Sequence, residues 1–89
     1  MARFEIAGID AATLGEANPA EDVFFQLGMI YSTGASVPAD FVAAHKWFNL
    51  AAMHGNEDAI RLRREIADQM SDAEIATAQR AARDWLHTH

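Results

Sequence analysis

Helix-start signals, glycine stops and apolar stripes recurring every three to four residues predict an all-α fold of antiparallel helical hairpins. Asn18-Pro19-Ala20-Glu21 and Ser71-Asp72-Ala73-Glu74 each set a capping side chain three residues ahead of a glutamate, the pattern that satisfies the free N–H groups of a first helical turn. Gly34 and Gly55 stand where two of the stripes end, as helix C-termini require.

The first helix starts at the Asn18 cap with Pro19 in its first turn, where a missing N–H costs nothing, and runs to about Thr33. Residues 34–38 form a loop. The second helix runs from Ala39 or Asp40 to His54, and Gly55 supplies a left-handed terminus. Asn56 caps the third, with Glu57 and Asp58 suited to the positive end of its dipole and its end near Met70. Ser71 opens the fourth, which reaches about Leu86. Ahead of them, Phe4 and Ile6 alternate with Arg3 and Glu5 as in an extended arm, and Asp10 suits a turn through Leu14. Phe4, Ile6, Ile9 and Leu14 are expected to cap the otherwise uncovered side of the first helix.

The chain has 89 residues, short of the roughly 100–150 of a common domain, and reads as one folding unit. By area scaling it hides only about 64% of its unfolded surface, so its core is thin. Cysteine is absent, which excludes disulfides, thiolate metal sites and cysteine nucleophiles. No apolar run approaches 18 residues, so no membrane insertion is expected. The early residues lack the plan of a secretory signal, so the expected location is the cytoplasm. Net charge is −6. Residues 1–45 set six acids against Arg3 alone, and the later arginines are interleaved with acids. Nucleic acid is therefore not an expected partner, since the basic footprint it needs is missing.

Helical periodicity places Val23, Phe24, Leu27, Ile30 and Tyr31 on one face of the first helix, with Gly28 permitting close approach. The second helix offers Phe41, Ala44, Phe48, Ala51 and Ala52, with Trp47 at the edge. The fourth offers Ile75, Ala78, Ala82, Trp85 and Leu86. Trp47 and Trp85 each follow an alanine by three residues, so the fourth helix repeats the packing logic of the second.

Leu27-Gly28-Met29-Ile30-Tyr31, residues 34–40 with Gly34, Val37, Pro38 and Asp40, Ala44-His45-Lys46-Trp47, and Ala51-Ala52-Met53-His54-Gly55 with Ala59 together resemble the Sel-1-like repeat family, relatives of tetratricopeptide repeats. The resemblance covers residues 20–62 as one full repeat. Ser36 departs from it, standing where the family usually has a second glycine. Residues 56–86 resemble the terminal hairpin of many bacterial members through Arg63, Ile66, Ala67, Met70, Ile75, Ala78-Gln79 and Trp85, with the glycine loop cut to Ser71. The implied organisation is an arm at 1–17, a repeat at 18–55 and a capping hairpin at 56–89. The implied fold is a short right-handed superhelical α-solenoid, with Leu27, Gly28, Tyr31, Trp47, Ala51, Arg63 and Trp85 as its structural core.

Chemistry-bearing patterns are sparse. His45 and His54 are nine residues apart, half a turn out of phase, and are expected at the surface or edge; His87 and His89 fall at an expected frayed terminus. No nucleophile elbow or phosphate loop is present, and the acid pairs sit at helix starts, where the dipole explains them. No metal, cofactor or catalytic activity is expected. Arg63, in the middle of an apolar stripe, is expected to bond Gln79 or the carbonyls near Met70, or else to meet a partner's carboxylate.

What remains is protein recognition. The resemblance implies a concave groove of Asp22, Phe25, Met29 and Ser32 beside Arg61, Glu65 and Asp68, and periodicity sets Phe25, Met29 and Ser32 away from the core stripe. Burial of Phe25 and Met29 by the third helix is the alternative. The second helix also carries Val42, Leu50 and Met53 outside its core face, the makings of a homodimer interface. The expected role is a small adaptor or accessory subunit docking a peptide or helix of a partner protein, with a structural homodimer as the alternative.

Overall fold

The computed structural model describes residues 19–89, which form four α-helices: α1 (Pro19–Thr33), α2 (Phe41–Met53), α3 (Glu57–Ala67) and α4 (Asp72–Thr88). No strand occurs among the described residues. The expected arm, its Phe4, Ile6, Ile9 and Leu14, and the Asn18 cap lie outside them.

Local chemistry sets the element ends. Gly34 takes φ 71° and its N–H donates to the Ile30 carbonyl, a left-handed stop that disfavours any side chain. Asp40 begins α2 by accepting the Ala43 N–H at 3.1 Å, while its own N–H reaches back to the Tyr31 carbonyl at 2.9 Å. That second bond closes the loop onto α1. At the far end of α2, Gly55 takes φ 102°, its N–H donating to Ala52 and the Asn56 N–H to Ala51. This is the paired bonding of a Schellman terminus. Asn56 then caps α3, its Oδ1 accepting the Ala59 N–H at 2.7 Å, so one short turn ends one helix and starts the next. The Ser71 hydroxyl accepts the Glu74 N–H while a Glu74 carboxylate oxygen accepts the Ser71 N–H, the reciprocal box expected for α4.

Two helix ends differ from expectation. α3 stops at Ala67 rather than near Met70, because Gln69 and Met70 bond back only three residues, to Ile66 and Ala67, tightening the last turn. α4 continues past Leu86 to Thr88, and its last turn is hydrogen-bonded to the end. His87 bonds the Arg83 carbonyl, and the His89 ring stacks on Trp85 at 4.3 Å while its N–H reaches the Trp85 carbonyl.

α2 is the centre of the packing, with α1, α3 and α4 each laid against it. Phe24, Ala44, Phe48, Leu50, Ala51, Ala59, Ile66 and Ala82 form the buried cluster, and Phe25, Tyr31, Trp47, Leu62, Met70 and Trp85 pack around it. Phe24 lies 5.8 Å from Trp47 and 5.0 Å, edge to face, from Trp85, and the two indoles lie 6.0 Å apart. One aromatic trio thus joins α1, α2 and α4. The offset and T-shaped arrangements are those that the ring quadrupole favours.

Of the expected core, Gly28 and Ala51 are buried and Leu27, Tyr31, Trp47, Arg63 and Trp85 are half-buried. Val23 is 53% exposed, and Leu86 is exposed as well. Phe24, 100° further round α1 and expected on the same face, is buried. Arg63 bonds neither Gln79, which is exposed, nor the turn near Met70; its Nη1 donates to Asn49 Oδ1 on α2 at 2.5 Å. The reason is that α3 packs on α2, not along α4.

A Cβ added at Gly28 falls 2.5 Å from two ring carbons of Phe48, which is fully buried and has nowhere to move. Gly28→Ala gains about 1 kcal/mol of helix propensity, whereas overpacking of this kind costs about 1–3 kcal/mol. Urea denaturation is expected to show the variant less stable than wild type, the opposite of what propensity alone implies. Trp47→Ala removes the middle ring of the trio and is expected to cost about 3 kcal/mol, the low end of the range for large aromatics because Trp47 is only half-buried.

Candidate functional site

Among the described residues a concavity opens where the 34–40 loop meets the heads of α2 and α4. It has a volume of about 670 Å³ and is lined by Tyr31, Val37, Pro38, Ala39, Asp40, Phe41, Val42 and Glu74, within the usual range for ligand sites, roughly 300–1,000 Å³. Its walls follow from the local structure already described. The Asp40-to-Tyr31 bond folds the loop back on α1, so that Val37 and Pro38 line the opening together with Tyr31, and Glu74 of the Ser71 box lines it from α4. Asp40 and Glu74 each use one carboxylate oxygen to cap a helix. Among the described residues no lysine or arginine lines the pocket.

The groove residues are distributed differently. Asp22 is exposed, Ser32 is half-buried with its hydroxyl bonded to the Met29 carbonyl, and Met29 is 36% exposed. Phe25 is half-buried, its ring 5.8 Å from that of Phe48 on α2. Arg61, Glu65 and Asp68 are exposed on α3, and Arg61 pairs with Asp58 at 3.5 Å and Glu65 at 3.3 Å on its own helix. Such exposed pairs contribute little. α1 and α3 pack on α2 more than on each other, so the two halves are not drawn into one tight cluster.

The proposed homodimer face needs correction. Leu50 is fully buried by the chain's own helices, and Val42 is half-buried at the pocket wall. Only Met53, 58% exposed, remains open. Three helices crowd α2, and periodicity within one helix cannot show how many neighbours it has.

His45 also departs from its expected surface position. It is only 3% exposed, and its Nδ1 is buried without a hydrogen-bond partner among the described residues. Burial, followed by the nearby Arg63 charge, holds its imidazole below the usual value of 6.5. An unpaired ring nitrogen is tolerable on a neutral imidazole and costly on a charged one. His54, as expected, sits at an edge, its Nδ1 bonded to the Leu50 carbonyl at 2.8 Å and its ring 5.2 Å from Phe24. Among the described residues no group of three or more His, Asp or Glu side chains is placed to hold a metal ion, and no helix is long and apolar enough to cross a membrane.

The pocket itself was not anticipated from the sequence. A signal was present: Val37 and Pro38 are apolar residues in a loop of otherwise small side chains, where nothing local requires them. Comparison of the chain with known protein families, with curated proteins and with solved structures finds no match.

His45 has a pH signature. Its folded value lies below its unfolded one, so the unfolded chain takes up a proton first on acidification, and stability is lost as pH falls below about 6.5. Thermal melts between pH 7.5 and 5.5 are expected to show a falling midpoint, and His45→Phe is expected to flatten that slope. An equally steep slope in the variant would assign the acid sensitivity to other groups.

Proposed function

We propose that this chain is a non-catalytic protein-interaction module of the Sel-1-like type, a small helical adaptor or accessory subunit that docks an extended segment of a partner protein. The observation that carries this reading is the open, largely apolar pocket of Tyr31, Val37, Pro38, Phe41 and Val42, which the described side chains leave unfilled. Apolar surface left in a concavity beside a rigid helical frame suits a partner's side chains. The residues behind the resemblance support the family reading by their roles. Gly28 admits Phe48, Gly34 and Gly55 end helices, and Asp40 starts one. Repeat scaffolds serve many clients, so the class of function is argued from this surface rather than from the architecture. A cytoplasmic, bacterial setting accords with the same resemblance.

Selection of binders from a random peptide library, followed by calorimetry, tests the reading. Val37→Ser combined with Pro38→Ser leaves every helix intact and is expected to weaken selected peptides by about tenfold or more, as loss of an anchoring pocket does, with little change in melting temperature. A library that yields no peptide above background would overturn the docking role. Phe25→Ala provides the contrast. Because Phe25 packs on Phe48, its truncation is expected to destabilise the fold by about 2 kcal/mol, less than a fully buried phenylalanine would cost.

A further inference from the structure

We propose that the pocket at the heads of α2 and α4 receives a basic side chain of the partner segment, its alkyl stem against the apolar wall and its charge at Asp40 and Glu74. The inference rests on the docking role above and names the chemistry of the occupant.

Charge complementarity carries it. Both carboxylates line the same opening, and each commits one oxygen to a helix cap, leaving the other free to accept. Neither forms an ion pair among the described residues. The two helix N-termini oppose a cation, but each presents about half a positive charge against one full carboxylate, so the mouth is net negative. Tyr31 and Phe41 contribute aromatic rings to the wall, and ring faces attract an ammonium or guanidinium group. Val37, Pro38 and Val42 offer apolar surface of the kind that lysine and arginine stems cover while the charged head stays at the rim. A chain of net charge −6 also attracts basic segments at long range.

The probes are two blocked peptides, one with a lysine between two leucines and one with norleucine in its place, titrated into the nitrogen-15-labelled chain. The lysine peptide is expected to shift the amides of Val37, Asp40, Val42 and Glu74 and to bind about tenfold more tightly than the norleucine peptide, as for one charge-assisted contact. Asp40→Asn and Glu74→Gln keep an oxygen for capping, so helix content is expected to persist while the lysine preference falls to near unity. Added salt is expected to reduce the preference as well. Equal binding of both peptides at these amides would overturn the basic-side-chain assignment and leave the docking role standing. Absence of shifts at these amides with either peptide would overturn the assignment of this pocket, whatever library-selected peptides do elsewhere.

Discussion

The contact on which the fold depends is the meeting of Phe24, Trp47 and Trp85. These rings come from α1, α2 and α4, and few other large side chains span so many elements in a chain of this size. A small chain hides a modest share of its surface, so cohesion must be concentrated where three helices share one contact. Alanines provide the close approach around it. Ala44, Ala51, Ala59, Ala78 and Ala82 are all buried, letting helix backbones draw near while the rings fill the remaining volume. His54 and His89 extend the aromatic surface at its edges, against Phe24 and Trp85.

The same economy places the pocket. α2 is enclosed by three neighbours along its length, and its head is the point at which enclosure ends. There the 34–40 loop returns to α1 through one backbone bond, and α4 begins beside it. Capping groups that terminate helices therefore also form the rim of the cavity. Asp40 and Glu74 act twice, as acceptors for backbone N–H groups and as charges facing outward. A docking site built from element ends is held by the frame yet keeps accessible side chains, the usual division between scaffold and function.

His45 and Arg63 show a second constraint. α3 approaches α2 with an arginine in its apolar stripe, and Asn49 accepts its hydrogen bond. One turn earlier on α2, His45 is enclosed with Nδ1 unpaired, in the field of that arginine. Neutral imidazole is favoured over imidazolium there, so the α2–α3 contact carries a dependence on pH.

Helix positions were legible from residues whose physics is local. Asp40, Asn56 and Ser71 cap within three residues, and Gly34 and Gly55 take the left-handed turns that end helices. The closeness of α1 and α2 at Gly28 was legible too, since a missing side chain marks close approach. Periodicity named the buried faces of α2 and α4 for the most part, but not Leu50 or His45, and it set Val23 beside Phe24 on the core face although only Phe24 is buried. Those residues depend on how many helices surround α2 and from which side, and a one-dimensional stripe records only that some neighbour exists. The partner of Arg63, expected at Gln79 or near Met70, was misassigned for the same reason: Asn49 lies on α2, 14 residues away in the chain. The pocket arises from a loop and two helix ends that are distant in sequence, with Glu74 brought beside Val37. Sequence determined where capped helices start and where glycines stop them, because capping and backbone strain act over a few residues. Tertiary structure alone decided what α2 buries and what its head leaves open, because packing is a relation among helices and no single helix contains it.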